Sequence, residues 1–247
     1  MLSKRLIARL DIKGLNVVKG IHFEGLRVMG DPITLAKKYQ GASELLYIDT
    51  VASLYGRNQL TELLRRTSDE VFIPITVGGG IGSCDDVTRM LNAGADKCAI
   101  NTRCLSEPTL ISRIADEFGS QTICVSIQCK RYMGGWEAYT ECGRERTYTD
   151  ALEWAEKAVA LGAGELLITS IDQDGTMRGF DTELMDAIDV SVPVIACGGL
   201  GKLSDLSVNA DAIACASVLH YDKLTIGELH DQLNQIELPS EERRATG

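Results

Sequence analysis

Val77-Gly78-Gly79-Gly80-Ile81-Gly82-Ser83 returns in the second half of the chain as Ala196-Cys197-Gly198-Gly199-Leu200-Gly201-Lys202, and this echo decides the fold. Other pairs line up around it. Leu10-Asp11-Ile12-Lys13 matches Ile127-Gln128-Cys129-Lys130, Leu45-Leu46-Tyr47-Ile48-Asp49 matches Leu166-Leu167-Ile168-Thr169-Ser170, and Ile100-Asn101-Thr102 matches Cys215-Ala216-Ser217. Each stretch is a short apolar run leading to glycine or polar residues, as a buried strand leads into a loop. So long a period belongs to a duplicated half-domain and not to a solenoid. The duplication fails at one place of chemical weight: Asp11 in the first copy faces Gln128 in the second.

Eight β-rich apolar runs follow one another: Leu6 to Lys13, Glu44 to Val51, Ile73 to Gly80, Lys97 to Thr102, Thr122 to Lys130, Glu165 to Asp172, Val192 to Gly199 and Ala212 to Ser217. Amphipathic helices are predicted over Asp31 to Tyr39, Cys84 to Ala93, Pro108 to Phe118, Asp150 to Leu161 and Ile226 to Ile236. The pattern predicts a single (β/α)8 TIM barrel over 1–247, with half-barrels of about 1–120 and 121–237 and a polar tail at 238–247. Only Leu200 to Asp211 joins strands 7 and 8, so that connection must hold a short or distorted helix.

Charge narrows the function. Twenty-five Lys and Arg against 35 Asp and Glu give a net charge of −10, which argues against nucleic acid or an anionic membrane as partner. A phosphorylated small molecule stays open, because backbone amides bind anions without a basic surface. Met1-Leu2-Ser3-Lys4-Arg5 leads straight into a short apolar run holding Arg9 and Asp11, neither signal peptide nor membrane span, and a cytoplasmic protein is expected. Eight cysteines, with Cys98, Cys124, Cys197 and Cys215 inside apolar runs and no C-x-x-C, read as buried reduced thiols. His22, His220 and His230 are not spaced as ligands, so no metal and no cofactor is expected.

Active sites of such barrels lie at the carboxyl ends of the strands. Asp11 is the candidate general base or acid, and Gln128 hydrogen-bonds but cannot titrate. Gly80 with Asn101 and Thr102, and Gly199 with Ala216 and Ser217, suggest two phosphate cradles; tight turns are the plainer explanation of the glycines. Thr169, Asp174 and Gly175 are further ligand-facing candidates, with an Asx turn as the alternative for Asp174. Lys19 is read as a phosphate or lid residue on a long loop between Lys13 and Asp31, or as a plain solvated lysine. At the opposite ends of the strands Arg5, Glu44, Lys97 and Glu165 balance in charge and suit a salt-bridge ring across the barrel floor.

Several of these motifs together resemble the HisF family, the cyclase subunit of imidazole glycerol phosphate synthase. They include Ala8-Arg9-Leu10-Asp11, Val17-Val18-Lys19-Gly20, Gly30-Asp31-Pro32, Thr76-Val77-Gly78-Gly79-Gly80-Ile81, Gly94-Ala95-Asp96-Lys97, Asp172-Gln173-Asp174-Gly175-Thr176 and His220-Tyr221-Asp222-Lys223-Leu224. The resemblance implies a HisH-like glutaminase on the amino-terminal face, with Asp96 at the interface. It implies an ammonia gate at Arg5, Glu44, Lys97 and Glu165, polar active-site positions at Asn101 and Gln121, and phosphate sites at Gly80, Thr102, Gly199, Ala216 and Ser217. The family's two catalytic aspartates map to Asp11 and Gln128, and Cys197 stands where serine is usual. One amide for one carboxylate implies a paralogue that conducts ammonia with impaired or absent ring formation, supplying a separate sugar amidotransferase in surface-polysaccharide (O-antigen) biosynthesis. The alternatives are an active cyclase subunit in histidine biosynthesis and a non-catalytic scaffold.

Overall fold

A computed structural model of the chain describes residues 4–51 and 59–236; the expected tail at 238–247 lies outside the described residues. Eight parallel strands close on themselves. In order around the barrel they are β1 (Arg5–Lys13), β4 (Glu44–Asp49), β5 (Ile75–Gly78), β6 (Lys97–Ile100), β7 (Ile123–Tyr132), β10 (Glu165–Ser170), β11 (Val194–Cys197) and β12 (Ala212–Cys215). β12 pairs back onto β1, completing the (β/α)8 barrel. Strands β5 and β11 start later than the apolar runs that announce them. Pro74 and Pro193 have no N–H for the ladder, and their carbonyls instead accept from Leu45 and Leu166.

Alternation along each strand divides the apolar residues between two cores. On β1, Leu6, Ala8 and Leu10 pack outward under the helices. Ile7 points inward with Leu46, Ile48, Leu167 and Ile195 to form an apolar layer inside the barrel. Burying one such side chain is worth about 1.5–3 kcal/mol, so the filled bore is itself a large part of the stability. By the same alternation Arg5, Arg9 and Asp11 share the inward face of β1.

The helices begin where capping side chains allow. Asp31 accepts from the Thr34 amide at 2.8 Å before Pro32, and Asp150 accepts from Leu152 and Glu153 at 2.8 and 3.1 Å. The connection from β11 to β12 carries only a 3-10 helix, Leu203–Ser207, as its length requires.

The segment expected to be a long loop after Lys13 is instead an antiparallel hairpin, β2 (Asn16–Ile21) and β3 (Glu24–Gly30). Its second turn uses His22 and Phe23 with φ of 53° and 63°, left-handed values in residues that give no Asn-Gly signal. The second half has the matching insertion, β8 (Gly135–Thr140) and β9 (Glu145–Asp150), so the hairpins belong to the repeated unit.

Candidate active site

The floor of the bore is a closed ring of charge. Arg5 binds Glu44 at 3.1 Å and also Glu165, while Lys97 binds the same two carboxylates at 3.1 and 2.9 Å. Thr76 donates to the other Glu44 oxygen at 2.6 Å. Burial pulls the Arg5 and Lys97 values down, but the two glutamates outweigh it and hold both cations charged. Asp96 lies next to this ring, exposed, and its Oδ2 accepts from the Ile75 amide at 2.8 Å. That bond fixes the start of β5 whatever else Asp96 does.

At the mouth, four buried charged residues form a second network. Arg9 Nε donates to Asp11 Oδ1 at 2.9 Å, and Lys19 Nζ lies 3.5 Å from Asp11 Oδ2. Lys19 is held more closely by Asp174, at 2.8 Å from each carboxylate oxygen. Arg9 and Asp11 are each 3% exposed, and Lys19 and Asp174 each 2%, so the four charges must balance among themselves. Burial pushes the Asp11 carboxyl up; Arg9 and Lys19 outweigh it and hold the group below its ordinary value. Arg9 also reaches across the bore, with Nη1 at 3.4 Å from Thr169 Oγ1 and 3.2 Å from Cys197 Sγ.

Lys19 comes from β2, and its hairpin is pinned over the mouth. His22 N donates to the Asp174 carbonyl at 2.9 Å. A Cβ on Gly175 would stand 2.2 Å from Gly20 O, so the two backbones meet at a contact only glycine permits. Phe23 from the hairpin tip lies over the Arg9 guanidinium, 5.5 Å from ring centroid to cation. The solvated-lysine alternative for Lys19 is therefore ruled out, and Asp174 is an ion-pair partner as well as a turn residue.

Two clefts flank this bridge. One is lined by Arg9, Lys19 and Asp174 together with Gly175, Gly198–Leu200 and Ala214–Ser217, which gathers the second-half cradle residues. The other is lined by Asp11, Lys19, Phe23, Thr50, Cys142 and Arg144. Gly80, Asn101 and Thr102 line neither. The second hairpin leans on them: Glu141 N donates to Thr102 Oγ1 at 3.2 Å, and Asn101 Nδ2 to Tyr139 O at 3.2 Å. Gly199 has a packing reason of its own, since a Cβ there would stand 2.0 Å from Gly179 O.

Gln128 is 6% exposed and beside Thr169 in register. Its Oε1, like Asn101 Oδ1, accepts no hydrogen bond from the described residues. Each is a buried acceptor left unused by the described residues.

Gln121 does not join the site. It sits at the opposite end of the barrel, exposed, with Nε2 donating to the Phe118 carbonyl at 3.2 Å, because it precedes β7 where Gln128 ends its inward run. Arg9 is the functional candidate that the sequence reading passed over. Its signal was present: a lone cation inside an apolar strand, two residues before Asp11 and so on the same face. His220 is another, with Nδ1 2.9 Å from the Tyr39 hydroxyl and a value pushed down by burial to about 4. The eight cysteines are free thiols, and burial pushes Cys98 and Cys104 up to about 12. Among the described residues no helix is long and apolar enough to cross a membrane.

Comparison with known proteins places this geometry. Residues 5–225 match the family model described as "Histidine biosynthesis protein". The imidazole glycerol phosphate synthase subunit HisF of Legionella pneumophila is 57% identical over 212 residues, 84% of this chain and 100% of the relative. The subunit of the same name from Bifidobacterium adolescentis is 45% identical over 246 residues, 94% of this chain and 96% of the relative. That from Prochlorococcus marinus is 48% identical over 245 residues, 94% and 95% of the two chains.

Proposed function

The chain belongs to the HisF family, and from that premise we propose that it is the cyclase-type subunit of an imidazole glycerol phosphate synthase in histidine biosynthesis. A HisH-like glutaminase docks on the amino-terminal face beside Asp96 and releases ammonia at the Arg5/Glu44/Lys97/Glu165 ring. Ammonia then crosses the apolar layer of Ile7, Leu46, Leu167 and Ile195 to the mouth. There it meets the family's substrate, a phosphoribulosyl-formimino aminoimidazole carboxamide ribonucleotide whose two phosphates suit the two strand-end cradles. The observation that carries this reading is the coaxial stacking of a charge-balanced ring, an apolar bore and a buried carboxylate at Asp11.

Chemically, ammonia that adds to a carbonyl becomes a C–NH3+ group that must lose a proton, and ionised Asp11 is placed to accept it. Gln128 and Asn101 offer acceptors that orient an N–H of substrate. The family description and the relatives' names support the histidine pathway. Neither they nor any described residue supports the surface-polysaccharide role.

A second reading keeps the ammonia path and gives up ring formation. It rests on Gln128, which cannot carry a proton at the position opposite Asp11. Purified chain supplied with the phosphoribulosyl-formimino substrate and excess ammonium salt separates the two. Turnover by the natural protein supports the cyclase. Silence with recovery in Gln128→Asp supports the second reading, and silence in both sinks the assignment of this substrate.

A further inference from the structure

We propose that Arg9 is a positioning residue that commits Asp11 to begin each turnover as a proton acceptor. The inference rests on the reading of the mouth as a proton-transfer site. Three observations carry it. Arg9 Nε holds one Asp11 oxygen at 2.9 Å while Lys19 lies 3.5 Å from the other, so both carboxylate oxygens are committed to cations. The guanidinium is not free to swing away, being bound on the far side by Thr169 and Cys197 and covered by Phe23. The repeat supplies a control within the molecule, because Gln128 in the second half has Ser126 two residues before it on the same face, with no cation there.

The charged and titratable groups around Asp11 come from several elements. Arg9 is on the same strand and Lys19 on β2. Asp174, after β10, neutralises Lys19, and His220 follows β12. Cys142 and Arg144 come from the second hairpin. Of these, Arg9 makes the shortest contact with the carboxylate, because Lys19 is shared with Asp174. A carboxylate so held takes a proton from the C–NH3+ formed by ammonia addition, with the N–H electron pair returning to nitrogen. It has none to give before that, so at the mouth ammonia addition precedes any acid-assisted step by Asp11.

The test is carboxyl 13C NMR of the full chain between pH 3 and 8, with Asp11 assigned by its loss in Asp11→Asn. In the natural protein the Asp11 midpoint is expected below the ordinary value of about 3.9. It should rise by about one pH unit or more in Arg9→Met, rise less in Lys19→Met, and return in Arg9→Lys. The acid limb of kcat/KM with ammonium salt should move with it. A natural midpoint at or above the ordinary value, or one that Arg9→Met leaves in place, overturns the proposal. Should Arg9→Met fail to fold, Arg9→Gln is read in its place with the same expected rise, and a natural midpoint at or above the ordinary value still overturns the proposal. A chain with no cyclase turnover would sink the functional reading alone, since the NMR midpoint is read without substrate.

Discussion

Asp11 and Gln128 hold the same place in two copies of one half-barrel, as do Arg9 and Ser126. In the first half these inward positions are an ion pair, bound further to Lys19; in the second, the Gln128 carbonyl oxygen has no partner among the described residues. The backbone around them is conservative by contrast. Asp96 Oδ2 accepts from Ile75 N at 2.8 Å, and Asp211 Oδ2 from Val194 N at 2.9 Å. Asp86 and Asp205 likewise accept from Gly82 N and Gly201 N, at 2.9 and 3.0 Å. The duplication thus retains side chains that satisfy backbone amides, and it retains Glu44/Glu165 and Leu46/Leu167 lower in the bore, while the axis-facing pairs at the mouth, Asp11/Gln128 and Arg9/Ser126, have diverged.

The sharpest way to break the asymmetry is to restore it to symmetry. Asp11→Asn is expected to lower ammonium-dependent cyclase turnover by about 10²–10⁴, whereas a rise of that size in Gln128→Asp belongs to the second reading, in which the natural chain is silent. Steady-state rates with saturating ammonium salt check both.

Next in size is the floor ring, in which the repeat-equivalent Glu44 and Glu165 each touch both cations. Either glutamate replaced by alanine leaves Arg5 and Lys97 under-compensated and should cost about 3 kcal/mol in urea unfolding. Glu44→Ala should cost somewhat more, because it also leaves the buried Thr76 hydroxyl without its acceptor. A loss confined to one of them would show that the two glutamates do not share the work of holding both cations.

Smaller is the pH response of His220, a second-half residue bonded to first-half Tyr39. Its value, pushed by burial from 6.5 down to about 4, lies below that of the unfolded chain. As pH falls from about 6.5 to about 4, the unfolded state therefore takes up the proton first and stability is lost. The loss should be about 2 kcal/mol, and His220→Leu should flatten it. Urea midpoints across this range provide the check. Asp11 acts lower: its depressed value gives stability present above about pH 3.9 and lost as pH falls through its folded value.

The smallest effect separates two connections. Ser83 caps the full helix Cys84–Asn92 through the Asp86 amide, whereas the matching 3-10 helix Leu203–Ser207 starts from Lys202. Ser83→Ala should cost about 1 kcal/mol, read as a shift in thermal midpoint, and Lys202→Ala less.

Much of this architecture was legible. The eight strands, the half-barrel repeat, the shortened last connection and the four floor charges all follow from residue period and position, because strand alternation translates sequence directly into facing. The hairpins after β1 and β7 were not legible at the tip of the first. Its turn residues, His22 and Phe23, carry no local mark of left-handed backbone and are held there by packing over the mouth. Gln121 misled because resemblance gives a residue's company and not which end of its strand it occupies.

The duplicated barrel, and an amide at Gln128 in the repeat position of Asp11, are written in residue period and identity alone. Closure of the floor ring, the clamp of Asp174 on Lys19, and the reach of Arg9 across the bore to Thr169 and Cys197 arise in the folded barrel. Those partners are far apart along the chain, and a buried cation chooses among distant acceptors by desolvation and reach, which only the closed barrel sets.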